Sequence, residues 1–316
     1  MASSSGSHIR NLPLPLLPPV YTVTKPSELP SEFLEPSAAS DLVIGFDSEG
    51  VNLGREGSLC IMQLAIGGVV YLVDALQGGN ALMQACKPAL ESNQVTKVIH
   101  DCKRDSEALF FQFGIKLNNV VDTQIAYSLI EEQEGRKKVP RETVSLVDLL
   151  ADIRYCGVSY VEKKQARDLL EGDPYIWARR PLSEIMLNHA ANDVRFLVNV
   201  YGRMIKKLSD PSLWHLAVRS ALHCRCYCDN TDWPALPPIP ETPNPPEEEM
   251  LLVIEVPPHK MGAVIGTEGK TIVSIKRRCD ADILTGKPSN KVFLIGPVSQ
   301  VRQAETILNA IIFNKE

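Results

Sequence analysis

The apolar positions fall into short runs that switch between the two-residue period of strands and the 3.6-residue period of helices. Residues 41–50, DLVIGFDSEG, form an apolar run that ends in two carboxylates, and predict a first central strand. The runs 58–68 and 69–75 follow with a Gly67-Gly68 turn between them, predicting a hairpin. Ahead of these, 24–36 predicts a short helix; after them, 81–92 has helical spacing and 95–101 is a β-branched strand leading into a helix through residue 105. Residues 118–124 predict another short strand, with Asp122 capping the helix that follows. A charged surface loop is expected over 131–143 and a helix over 145–154, and within 177–208 one long amphipathic helix should start near Ser183. Strands alternating with helices after an opening meander imply an α/β unit built on a mixed sheet.

Two proline-rich stretches punctuate this pattern. Residues 1–30 carry little periodicity, and residues 229–249 hold seven prolines without a hydrophobic period, predicting a semi-rigid spacer that keeps a second unit away from the first. Beyond it the order is strand, helix, helix, strand, strand, helix. The expected organisation is a disordered lead-in over 1–20, a first domain over 21–228, a linker over 229–248 and a small α+β domain over 249–316.

Composition changes this picture in two ways. With 316 residues, 44% apolar and 22% charged, the chain can bury a sizeable core, and no apolar stretch reaches the ~18–20 residues of a membrane span. Lacking a signal-peptide core as well, it is expected in the cytoplasm or nucleus. The net charge of −5 is segregated, because residues 250–316 hold nine Lys/Arg against six Asp/Glu. An acidic first part whose carboxylates are offset by metal ions, followed by a basic part that holds phosphates, suits a nucleic-acid partner. The eight cysteines are scattered, so reduced thiols are expected, and HCRCYC (223–228) lacks zinc-ligand spacing and predicts a helix end with buried thiols.

The candidate chemistry starts with Asp47 and Glu49, which alternation puts on one face of the strand, where like charges repel unless a cation lies between them. Asp105 and Asp193 lie in helical patterns, and His189 precedes Asp193 by one helical turn on the same face. Four acids from a strand and two helices could converge on a pair of divalent ions, the arrangement used for in-line displacement at phosphorus.

This constellation resembles the DEDD superfamily of 3'-to-5' exonucleases. Trp177, Arg180, Pro181 and Leu182 resemble the Trp-x-x-Arg-Pro-Leu entrance to the last catalytic helix of its ribonuclease D-like members, and the resemblance covers roughly residues 37–208. It implies a ribonuclease H-like fold and hydrolysis of RNA from the 3' end, with Mg²⁺ or Mn²⁺ as the two divalent ions. Asp47, Glu49 and Asp193 would hold the ion that activates water, and Asp47 with Asp105 the second. His189 would orient or deprotonate that water. It stands at the spacing of the subgroup that has Tyr there, with the residue type of the subgroup whose His lies one position further ahead. A catalytically weak scaffold that binds RNA or protein partners, and an exonuclease acting on DNA, are the alternatives.

Gly266, Thr267, Glu268, Gly269 and Lys270 resemble the Gly-x-x-Gly loop of a type I KH domain, and the surrounding element order is that family's. The pairing of the two domains resembles exonuclease/KH domain-containing proteins of plants. The resemblance implies a single-stranded nucleic-acid partner, RNA by preference, held at this loop. Glu268 departs from the basic residue often found there and should repel phosphate.

Overall fold

A computed structural model describes residues 17–313 apart from 38, 40, 137–142, 159–162, 229–231 and 287–289. Most of the expected disordered lead-in, and the middle of the charged loop expected over 131–143, lie outside the described residues. The first sheet contains β1 (Val20–Val23), β2 (Leu42–Val51), β3 (Ser58–Ile66), β4 (Val69–Asp74), β5 (Val95–Ile99) and β6 (Val120–Asp122) in the order β1-β4-β3-β2-β5-β6. The meander β2-β3-β4 is antiparallel, while β1, β5 and β6 add in parallel, so the sheet is mixed as expected. Gly67 and Gly68 both take positive φ in the β3-β4 turn.

Helices cover both faces, because alternate residues of the central strands are apolar on each side. Helix α1 (Ser31–Leu34) with a preceding 3-10 turn replaces the longer helix expected over 24–36. Pro26 opens the 3-10 turn and Pro30, at the N-cap of α1 and without a donor N–H, separates the turn from the helix. Helices α2 (Ala75–Glu91) and α3 (Lys103–Phe113) share one core with Ile44, Phe46, Met62 and Leu64. Next come α4 (Thr123–Gln133), capped by Asp122 accepting from Gln124 N, then α5 (Leu146–Ala151) and α6 (Lys163–Gly172). On the opposite face α7 (Glu184–Arg195) packs Met186, Ala190, Ala191 and Val194 against Ile61, Ala65, Leu72 and Val98.

Ser183 caps α7 as expected, but the single long helix is two: it breaks at Phe196 and resumes as α8 (Leu197–Ile205). Leu197 stays with the sheet, whereas Val200 and Met204 turn to a separate core with α4 and α5, so the break lets one apolar stripe serve two surfaces. Glu131, expected in a surface loop, is buried at the end of α4 and accepts from Arg136 and Arg154. No helix among the described residues is long and apolar enough to cross a membrane.

Helix α9 (Asp210–Arg225) ends the first unit, with Cys224, Cys226 and Cys228 buried at its end. The second unit has the expected order: β7 (Glu249–Glu255), α10 (Pro258–Ile265), α11 (Lys270–Cys279), β8 (Asp282–Thr285), β9 (Lys291–Pro297) and α12 (Val298–Phe313), in a sheet ordered β7-β9-β8. One sheet face packs on its own helices through Ile283, Val292 and Leu294. The other face, with Phe293 and Ile295, packs on Trp214, Val218 and Leu222 of α9.

The proline-rich segment therefore does not hold the second unit away. Pro238 O accepts from Trp214 Nε1 at 2.8 Å and Pro234 O from Arg225 at 2.6 Å, so the segment lies along α9. His215, Arg219 and His223, one turn apart on α9, meet Glu249 and Asp282 across the junction. A hydrophobic contact ringed by these pairs outweighs the freedom of a linker that proline has already stiffened.

Candidate active site

Strand β5 pairs with β2 only as far as Gly45, so Asp47, Ser48 and Glu49 run past its end. That gap brings the two sides of the sheet together. Asp47 and Glu49 point to the α7 face; Ser48 points to the α3 face, where its Oγ donates to Asp105 Oδ1 at 2.6 Å. Asp105 sits in the first turn of α3, buried. Asp193 lies near the end of α7, also buried, with His189 one turn before it. The close approach of α7 requires Gly45, whose missing Cβ would stand 2.7 Å from Val194 O.

The four acids expected from the sequence come together. Burial, and then the neighbouring carboxylates of Asp105, Glu49 and Asp193, hold the Asp47 carboxyl well above the usual carboxylate range. Burial raises Asp105 to about 6, against the Ser48 hydrogen bond, which works the other way. Ligand atoms of Glu49, His189 and Asp193 all lie within 4.8 Å of one another, a group able to hold a metal ion. His189 Nδ1 is 3.6 Å from Asp193 Oδ2, and the imidazole stacks on the buried Trp177 indole with centroids 6.0 Å apart and planes at 21°.

The donor set fits hard divalent cations, being carboxylate oxygens concentrated beyond what mutual repulsion tolerates without positive charge. A second observation agrees. Gln63 lies directly across the β2-β3 ladder from Asp47, fully buried, and neither its Oε1 nor its Nε2 has a hydrogen-bond partner among the described residues. A buried amide beside Asp47 costs free energy unless a bound group, such as a metal-held water, satisfies it.

Ser48 and Gln63 are the residues of the candidate site that strand alternation alone misses. Ser48 is assigned by alternation to the face away from the acid pair, and only the gap beside β5 makes it a neighbour of Asp105. For Gln63 a signal exists, as the one strongly polar side chain inside the apolar run of 59–66. The Trp-x-x-Arg-Pro-Leu segment is placed by Arg180, which pairs through two nitrogens with Asp74 and donates to the carbonyls of Cys60 and Trp177. It thereby seats Trp177 against His189.

The loop from Gly266 to Lys270 joins α10 to α11. Gly266 has φ 75°, and a Cβ there would lie 2.1 Å from Thr271 Oγ1, so only glycine fits. Glu268 also takes positive φ, and its exposed carboxylate pairs with Lys270 at 2.9 Å.

A family model for 3'-5' exonucleases matches residues 21–209, and one for KH domains matches residues 251–310. The human piRNA biogenesis protein EXD1 is 36% identical over 49% of this chain and 31% of its own length; ribonuclease D of Xanthomonas oryzae is 28% identical over 60% of this chain and 46% of its own. The chain spans less than half the length of either relative. Among solved structures, the catalytic core of RRP6 from Trypanosoma brucei superposes with a TM-score of 0.53 at 25% identity, covering 66% of this chain and 52% of that one. RNase D of the same organism, solved with RNA U12, has a TM-score of 0.56 over 73% of this chain and 77% of its own, and its 21% identity makes this a likeness of fold. With the acids gathered at the end of β2 and the family model running from within β1 through the rest of the first sheet, the chain belongs to the 3'-5' exonuclease family, joined here to a C-terminal KH domain.

Proposed function

We propose that the protein is a metal-dependent exoribonuclease that removes nucleotides from the 3' end of single-stranded RNA. The observation that carries this reading is the meeting of Asp47, Glu49, Asp105 and Asp193 from three elements in one cluster, where Asp47 feels the charge of the other three. Asp47, Glu49 and Asp193 would hold one divalent ion, and Asp47 with Asp105 the other; Mg²⁺ or Mn²⁺ suits such oxygen donors. Bound there, the ions supply activation of water and stabilisation of the leaving 3' oxygen. Four carboxylates carry four negative charges, which two divalent ions balance.

The chain's own residues do the positioning. Ser48 fixes Asp105, Gln63 stands ready to hydrogen-bond beside Asp47, and the Arg180–Asp74 pair seats the Trp177 segment over α7. In the second unit, Gly266 and Gly269 let a nucleic-acid backbone approach the loop, with Lys270 beside it. Exposed Lys270 is already engaged by Glu268, so this loop adds modest affinity rather than anchoring the strand. The RNA-associated names of the ribonuclease D and piRNA biogenesis protein EXD1 relatives support RNA over DNA.

The test uses the purified full chain on end-labelled single-stranded RNA and DNA with Mg²⁺, Mn²⁺ or EDTA. Stepwise shortening of RNA from the 3' end, lost in EDTA and in Asp47→Asn, is expected. Equal degradation by Asp47→Asn would overturn the assignment, and preference for DNA would overturn the substrate.

A further inference from the structure

The cluster of Glu49, His189 and Asp193 contains a nitrogen donor where a purely carboxylate centre would have none. We propose that His189 is a direct ligand of the ion held by Glu49 and Asp193, so that this half of the metal centre is a mixed nitrogen–oxygen site with a preference for Mn²⁺ over Mg²⁺. The proposal rests on the metal-dependent reading above and gives His189 a different part from the water-orienting base expected from the Tyr-x-x-x-Asp resemblance.

Three observations carry it. First, the ligand atoms of the three residues are within 4.8 Å of one another. Adjacent donors bound at about 2.1 Å stand about 3.0–3.4 Å apart on one ion and opposite ones about 4.2 Å, so inward shifts on the order of 1 Å per side chain close the set. Second, His189 Nδ1 and Asp193 Oδ2 are 3.6 Å apart. That separation is close to the ~3 Å spacing of adjacent ligands on one ion. Third, the imidazole lies nearly parallel to the indole of Trp177, which is itself buried and anchored through the Arg180–Asp74 pair. A ring stacked in this way directs its nitrogens edgewise, and i, i+4 spacing aims that edge along the face of α7 that carries Asp193.

The chemical consequence follows from donor softness. Carboxylates alone favour no ion strongly among hard divalent cations, whereas imidazole nitrogen raises affinity along the series from Mg²⁺ through Mn²⁺ to later metals. A tyrosine at this position, with a protonated phenol at neutral pH, would add no such preference.

Pulsed EPR of the metal-stripped full chain reloaded with Mn²⁺ reads the first coordination shell without reference to activity. The expected result is a ¹⁴N coupling of directly bound imidazole that disappears in His189→Gln, together with a Mn²⁺ Kd that rises about tenfold in that variant while the Mg²⁺ Kd changes less than twofold by calorimetry. Mn²⁺ bound with no ¹⁴N coupling would overturn the proposal and leave the four-carboxylate reading intact. Absence of Mn²⁺ binding at millimolar concentration would overturn both. A coupling that persists in His189→Gln would assign the nitrogen to another residue and overturn the proposal as well.

Discussion

Two buried side chains in the site are kept at a cost to stability. Asp105 has its carboxyl raised by burial from an ordinary 3.8 to about 6, so the folded state binds that proton more tightly than the unfolded chain does. The sign follows: the metal-free protein loses stability as pH rises from about 4 to about 6, by up to roughly 3 kcal/mol at ~1.4 kcal/mol per pKa unit. Asp105→Asn keeps the acceptor for Ser48 and should reduce that slope in thermal unfolding with EDTA, leaving the part due to Asp47, while abolishing degradation; an unchanged slope would remove Asp105 as a source. Gln63 exacts a similar cost through its unpartnered amide. Gln63→Leu is therefore expected to stabilise the metal-free protein by about 1–2 kcal/mol and to weaken Mn²⁺ binding. Urea midpoints and calorimetry would report both, and a destabilised variant with normal metal affinity would make Gln63 a packing residue.

The site also depends on how closely two elements approach. Helix α7 reaches β2 at Gly45, and a methyl group there meets the carbonyl of Val194, next to Asp193. Gly45→Ala must push the helix outward, at about 1–3 kcal/mol of overpacking, and carry Asp193 away from Glu49. The expectation is a turnover loss that exceeds the loss of stability, measured at a temperature where the variant is fully folded. A variant destabilised but fully active would detach the position of α7 from catalysis. The Trp177 segment constrains α7 as well, held to the sheet by Arg180, which donates to the carbonyls of Trp177 and Arg179 on one side and to Asp74 and the Cys60 carbonyl on the other.

Across the whole molecule, the KH domain is joined to the exonuclease domain through α9. Leu251, Phe293 and Ile295 on its sheet lie against or beside Trp214, Val218 and Leu222, so an isolated C-terminal fragment would expose that face to water. The junction closes on Glu249, whose fully buried carboxylate accepts from Arg219 at 2.7 and 2.9 Å and lies 2.6 Å from His215 Nδ1. Removing it strands a largely buried guanidinium, so Glu249→Ala should cost about 2–5 kcal/mol of docking free energy. Calorimetry is expected to resolve a single transition of the wild type into two, and proteolysis over 229–248 should accelerate. If the variant unfolds in one transition at the wild-type temperature, the ion pairs do not hold the domains together.

Much of this was legible along the chain. Period-two runs, the Gly-Gly turn and the caps at Asp122 and Ser183 determine β2–β4, α4 and α7, because those signals act over a few residues and need no distant partner. The acids were legible too, since Asp47 and Glu49 share a strand face and His189 and Asp193 share a helix face by periodicity alone. What the tertiary structure decided are the places where one element ends relative to another. The early end of β5 beside β2 turns Ser48 toward Asp105, the break at Phe196 divides one apolar stripe between two cores, and Lys97, within a strand-like run, is buried to donate to the carbonyls of Ala89 and Ser92 at the end of α2 and of Val95 at the start of β5. The proline-rich segment reads locally as a spacer, and only the apolar face that the KH sheet and α9 offer each other makes it a strap. Local periodicity fixes which face a side chain takes; the length of a neighbouring strand, and the surface that must be covered, decide what it meets there.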